Sequence, residues 1–204
     1  SALVAAGALK LADAVPLVRL RAAAMQEAVP AGTGAMAAIL GLDDDGIAAA
    51  CAEAAQGEVV EPVNFNAPGQ TVIAGHKGAV ERACEACKAR GAKRAVLLPV
   101  SAPFHSSLLK PAADRLAIAL ADIAVVTPTI PVINNVDVAI ETDPAKIKDA
   151  LVRQAAKPVR WVEIIGFVLV AAMIFSVYVA KAAAAREGGR ISDIERQIAE
   201  NSQR

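Results

Sequence analysis

Apolar residues fall at helical spacing from Leu11 to Ala28, where Val15, Val18, Leu20 and Met25 are interleaved with Arg19, Arg21, Gln26 and Glu27, and the run stops at Pro30 to Gly32. Before it, Ala2 to Leu9 is an unbroken apolar run that predicts a first helix. From Gly34 the pattern shortens. It predicts a strand over Ala35 to Leu42, a helix over Asp43 to Ala55 with acidic residues in its first turn, and a strand over Glu58 to Asn66. Pro68 and Gly69 turn the chain into a strand over Gln70 to Ala74, followed by a helix over Lys77 to Arg90 and a strand over Lys93 to Val100. The order β-α-β-β-α-β is that of a split βαβ, ferredoxin-like subdomain inserted in a larger body. Beyond His105 the pattern predicts a helix to Ala121, a strand over Ile130 to Asn134, a loop carrying Asn134, Asn135 and Asp137, and a helix from Pro144 to Ala156. Helices and strands on both sides of the insert predict an α/β layered domain.

Between Glu163 and Lys181 the pattern loses both charge and amphipathic period. The run from Ile164 to Ala180, about 17 residues, reaches the lower limit for a helix that crosses a bilayer, and Lys181 with Ala182 to Ala185 behind it can lengthen the span by snorkelling. A membrane helix is the preferred reading over a buried core helix or paired strands. Lys157 and Arg160 on one side balance Lys181, Arg186 and Arg190 on the other, so orientation is left open. Farther on, Ile191, Ile194 and Ile198 alternate at 3,4 spacing among Asp193, Glu195, Arg196 and Glu200, as at the start of a coiled coil.

Composition narrows the function classes. Hydrophobic residues make up 55% of the 204 residues and aromatics only 3%, so alanine, valine and leucine must fill the core. Lys plus Arg equals Asp plus Glu at 21 each, which gives no global field to recruit nucleic acid or an anionic membrane surface. Cys51, Cys84 and Cys87 are an odd number without a signal peptide before them, a usage that favours a reducing compartment. Cys84 and Cys87 form C-x-x-C inside a helical run with no second ligand pair, which reads as helix-core packing rather than a metal or redox site.

The candidate chemistry centres on Val100 to Pro111, where a strand ends in a loop that delivers His105 to a helix start. An imidazole there can serve as general base, since its ordinary pKa lies near neutrality. No G-x-S-x-G turn occurs within the 204 residues, and Ser106 and Ser107 lie on no strand-to-helix elbow. Taken alone, His105 reads as a solvated or capping loop residue, Arg21 as a solvated helix arginine, and His76 as a surface turn residue.

Several separated motifs, in order, change that balance. Ser1 to Leu9, Met25 to Pro30 with Gly32 to Met36, Asn64 to Gln70, Ser101 to Pro111, Ile133 to Asp137, and Leu151 to Gln154 followed by Pro158 to Trp161 resemble the bacterial malonyl-CoA:acyl carrier protein transacylases of fatty-acid synthesis. The resemblance runs from Ser1 to about Glu163. It implies an α/β fold: a partial α/β-hydrolase-like acyltransferase core over residues 1–32 and 101–163, with a ferredoxin-like (βαββαβ) subdomain over 33–100. A transmembrane candidate over 164–185 and a short tail over 186–204 follow, the two faintly similar to small single-pass bacterial division proteins. The resemblance further implies transfer of malonyl from malonyl-CoA, a substrate and not a resident cofactor, to the phosphopantetheine thiol of acyl carrier protein, with no metal. His105 matches the base, and a carbonyl at Gln154 orients its ring in place of a triad carboxylate. Arg21 matches the arginine that holds the malonyl carboxylate, and Asn66 is a weaker candidate for lining the thioester channel.

The nucleophilic serine of the family's G-H-S-L-G turn would fall five positions before Ser1, so the expectation is a catalytically silent, cytoplasmic fragment whose central parallel sheet misses neighbours. Ala155, Ala156 and Lys157 stand where the family carries a bulkier apolar-aromatic pair and a polar residue. Two further readings stay open. One is a membrane-anchored interaction or structural protein that contacts the bilayer through Ile164 to Ala180. The other is a join of unrelated reading frames near Glu163.

Overall fold

The computed structural model describes residues 1–100 and 102–202, with side chains described as far as residue 187. It divides into two compact units, Ser1–Ile164 and Ile165–Arg204. At the coarsest level the first unit is α/β.

Its centre is a four-stranded sheet of β1 (Gly34–Leu40), β2 (Val60–Ala67), β3 (Gln70–His76) and β4 (Arg94–Leu97), in the order β2-β3-β1-β4 with every neighbouring pair antiparallel. Alternation along β1 sends Ala37 and Ile39 to one face and Met36 to the other. The first face is covered by α3 (Asp44–Ala55) and α4 (Lys77–Ala89), and their contact buries Ile47, Cys51, Ile73, Val80, Ala83 and Cys87. Asp43 starts α3 by accepting the Gly46 N–H at 2.7 Å, as its acidic first turn suggested. Gly75 is required on β3: a Cβ there would lie 2.0 Å from the Val59 carbonyl oxygen. The opposite face buries Met36, Val63, Val72 and Ala74 against Leu98 and Phe104, which directs it toward the loop that bears His105.

The rest of the unit is helical. The first predicted helix contracts to α1 (Ala2–Ala5), because Gly7 turns the chain at φ +72° and the following backbone bonds elsewhere. Ala8 and Ala6 accept from the Val126 and Thr129 N–H groups at 3.0 and 2.8 Å. The next helix, α2 (Leu11–Glu27), packs on α5 (Lys110–Ala121), which packs in turn on α6 (Pro144–Arg153). Leu17, Leu116 and Leu120 form one of the small clusters between them.

The expected central parallel sheet is corrected. The strand predicted over Ile130 to Asn134 shrinks to β5 (Ile133–Asn134), paired antiparallel with β6 (Ala139–Ile140) in a hairpin. Among the described residues the parallel pairing outside named strands is the bridge Asn64–Val159, so a longer strand here has no neighbour to satisfy its ladder. The strand predicted over Lys93 to Val100 likewise keeps only Arg94–Leu97, at the sheet edge with β1 as its one neighbour.

The last helix, α7, runs from Trp161 to Ser202. Its Trp161–Glu187 stretch has a mean hydropathy of 2.4, long and apolar enough to cross a membrane. Every side chain from Ile165 to Ala180 is exposed, which sets aside the buried-core and paired-strand alternatives. The side chains of Ile191, Ile194 and Ile198 lie outside the described residues.

Candidate active site

The loop after β4 is shaped from beneath. Pro103 is fully buried on Gly34, where a Cβ would come within 2.5 Å of the ring, so only glycine lets the loop sit this close to the start of β1. Phe104 then packs into two clusters, the lower face of the sheet and the α2–α5 contact around Met25 and Leu109. His105 follows at φ +65°, a left-handed conformation that costs a non-glycine residue on the order of 1–3 kcal/mol and persists only where neighbours fix it. The Oγ of Ser106 donates to the Pro103 carbonyl at 2.7 Å. Ser107 donates its N–H and its hydroxyl to the two carboxylate oxygens of Glu61, at 2.8 and 2.9 Å. Both hydroxyls after the histidine are therefore engaged in structure.

His105 Nδ1 lies 3.1 Å from the Gln154 backbone carbonyl. A carbonyl only accepts, so Nδ1 carries the proton and Nε2 is left as the ring's acceptor. His76 is opposite: at the end of β3, half-buried rather than in a surface turn, its Nδ1 accepts the Val59 N–H at 2.9 Å. Burial pushes the His105 pKa below its ordinary value and the Arg21 charge pushes the same way, opposed by the Gln154 and Lys157 carbonyls. The imidazole is thus neutral near pH 7.

Arg21, on α2, is half-buried, and burial lowers its pKa from the ordinary guanidinium value, far too high for it to lose its charge. No hydrogen bond or ion pair to its guanidinium is found among the described residues. His105, Arg21, Gln154, Asn134, Asn135 and Ser1 line one cavity of about 650 Å³ whose walls are otherwise mostly apolar, including Leu17, Leu116 and Trp161. Asn66 is not in that lining. It sits in the second irregularity of β2, between Phe65 and Ala67.

The orienting carbonyl is itself braced. Gln154 ends α6, and its side-chain Nε2 donates to Asn135 Oδ1. Arg153 grips both oxygens of Asp137 at 2.8 and 2.7 Å and reaches Asp149 at 2.7 Å, which holds the Asp137 carboxyl below its usual range. Arg160 donates to the Val136 carbonyl at 3.1 Å and pairs with Glu163. Ala155 is fully buried and Ala156 packs on the Met25 cluster, so the small residues at these positions are accommodated beside Gln154.

Comparison with known proteins decides the family, because the acyl transferase domain matches residues 1–183. The chain belongs to the acyl transferase domain family. Its relatives include the malonyl CoA-acyl carrier protein transacylases of Salmonella typhimurium, 64% identical over 82% of this chain and 54% of the relative, and of Escherichia coli, 66% identical over 79% and 52%. Among solved structures, an acyl-carrier-protein S-malonyltransferase from Burkholderia pseudomallei superposes with a TM-score of 0.81 at 64% identity, over 83% of this chain and 55% of that one. A malonyl-transacylase solved in complex with its type II PKS acyl-carrier protein gives 0.82 at 56% identity, over 83% and 55%. The acyl transferase chain spans about half the length of the curated relatives it matches.

Within this family member, the structure brings His105, Arg21 and Gln154 to one cavity and leaves Asn66 outside it. Sequence reasoning passed over Glu61 and the bracing roles of Asn135, Asp137, Arg153 and Arg160. Most of these stand in motifs of the resemblance, Ile133 to Asp137, Leu151 to Gln154 and Pro158 to Trp161, and their pairing with each other was the available signal. Glu61 carried none.

Proposed function

We propose that this chain carries the base, the orienting carbonyl and the carboxylate-binding cation of a malonyl transfer site serving fatty-acid biosynthesis. The observation that carries the reading is a half-buried guanidinium, with no partner among the described residues, sharing a cavity with a neutral, oriented imidazole. Arg21 binds both oxygens of the malonyl carboxylate. Through Nε2, His105 takes the proton of a hydroxyl as its oxygen attacks the thioester carbonyl, and returns that proton to the coenzyme A sulfur as the C–S bond breaks. The reverse sequence, with the phosphopantetheine thiol of acyl carrier protein as attacking group, delivers the acyl. The relative solved with its acyl-carrier protein supports that acceptor.

These 204 residues hold no G-x-S-x-G turn, and Ser106 and Ser107 are engaged elsewhere, so the attacking hydroxyl is not among the groups these 204 residues supply. Asn66 keeps only the channel-lining role the resemblance implies, and its place outside the cavity lends that no support. The β2-β3-β1-β4 antiparallel order supports reading residues 33–100 as a ferredoxin-like insert, and the helical layer around it as part of an α/β-hydrolase-like core. Coenzyme A thioester enters as substrate and no resident cofactor is part of the reading.

The test compares binding of malonyl-CoA and acetyl-CoA by calorimetry, with intact mass after incubation. The expected result is unmodified mass, a preference for malonyl-CoA, and loss of about tenfold or more of that preference in Arg21→Ala, the scale of one charge-assisted pair. Equal affinity for the two thioesters overturns the role of Arg21, and a stoichiometric malonyl adduct overturns silence.

A second reading concerns location. The exposed apolar stretch of α7 favours a cytoplasmic acyltransferase part anchored at a membrane through Ile164 to Ala180. Fractionation of tagged chain tests it, since full recovery in the soluble fraction rules the anchor out.

A further inference from the structure

The bonds that hold base and orienter converge on a single strand. Glu61, on β2, takes both donors of Ser107, two residues after His105. Two residues along the same strand, the Val63 carbonyl accepts the Val159 N–H at 2.7 Å, and the Phe65 N–H donates to the Val159 carbonyl at 2.9 Å. The turn bearing the imidazole and the segment following Gln154 are thus both tied to β2. Within the turn itself, Ser106 is satisfied by Pro103, and among the described residues no bond reaches past residue 106 from inside the loop other than the helical ones that follow. The Glu61 carboxylate is therefore the tether on the far side of the left-handed His105. It matches one acceptor oxygen to each of two donors.

We propose that Glu61 is a positioning residue for His105: by gripping the Ser107 N–H and hydroxyl, it fixes the turn that holds the imidazole Nδ1–H on the Gln154 carbonyl. Its importance for turnover rests on the reading of His105 as the base, whereas the placement itself rests on geometry. A carboxylate suits the task because it accepts two bonds at once and donates none, so it cannot compete for the Gln154 carbonyl. Replacing it by glutamine keeps the size and one acceptor but turns an amide N–H₂ toward a donor. Replacing it by alanine removes both bonds.

The experiment reads the ring directly. Ring-nitrogen NMR of the full chain, above the titration range of His105, is expected to show the Nδ1–H form there and the Nε2–H form at His76, the internal reference. Glu61→Ala is expected to lose the pure Nδ1–H signature of His105 and give a mixture of tautomers, with His76 unchanged. Ser107→Ala, which removes the hydroxyl bond and keeps the N–H, should give a smaller change, and Glu61→Gln an intermediate one that serves if the alanine variant does not fold. A folded Glu61 variant whose His105 signals match the parent overturns the proposal. Because the readout is tautomer and not acyl transfer, a chain that fails to bind malonyl-CoA while showing these shifts loses the functional reading and keeps the placement.

Discussion

At His105 the folded chain resists protonation, and the sign of that effect sets a pH dependence. Burial lowers its pKa from the ordinary value of about 6.5, so the unfolded chain binds the proton more readily than the folded one. Stability from this group is complete above about 6.5 and declines as pH falls from there toward the lower folded value. We expect the urea midpoint of the parent chain to drop more across that window than the midpoint of His105→Gln. An equal slope in both would place the acid sensitivity elsewhere. The buried thiols make a second prediction: burial, reinforced by the neighbouring cysteines, pushes Cys51 up to about 12 and Cys87 to about 11, so both stay protonated. A thiol reagent at neutral pH should label them only after denaturant is added. The C-x-x-C pair was legible as helix packing from the sequence. The association of His105 with Arg21 and Gln154 was not legible from spacing, because residues from three helical or loop segments meet only through tertiary contacts, and motif resemblance alone linked them.

Among the elements, the four-stranded sheet and its two covering helices followed their periodicity closely. Alternating strands and apolar-faced helices specify local structure and burial together, and the bounds of β1, α3 and α4 differ from expectation by only a residue or two at either end. In the body around it, α2 and α5 also kept close to their expected bounds, whereas β5 and α1 did not: the strand lacks a neighbour to extend its pairing, and the helix is cut short at Gly7, beyond which the backbone bonds to residues 126–129. The close approach at Gly75 makes a sharp test. Gly75→Ala puts a methyl group into the Val59 backbone, which cannot swing aside, and should cost about 2 kcal/mol or more in chemical denaturation. Ile39→Ala, in the fully buried core beneath α3 and α4, should cost about 2–5 kcal/mol through lost transfer energy and a cavity. Gly75→Ala unfolding at the parent midpoint would mean that β2 can slide away from β3 without loss.

For the whole molecule, the two units dispose of their apolar residues differently. The first buries alanine, valine and leucine in several small clusters, as a chain poor in aromatics must. The second leaves Leu169 63% and Phe175 67% exposed on a helix with no charge between Glu163 and Lys181. A lysine near the middle of such a span costs roughly 3 kcal/mol on insertion scales. Leu169→Lys should therefore shift tagged chain from the membrane fraction toward the soluble one, and unchanged partitioning would argue against bilayer insertion. Length and apolarity were readable in the sequence, whereas exposure along the entire stretch needed the structure.

Strand β2 has a consequence for how such a site would respond to strain. With the imidazole on one side and the carbonyl it donates to on the other, both hung from the same rail, a tilt of the four-stranded sheet moves the two in concert. The guanidinium rides on α2, outside that rail. On the roles proposed for these groups, flexing of the sheet would keep the imidazole on its carbonyl and change instead its distance from the guanidinium, making selectivity for the length of an acid the first property to drift.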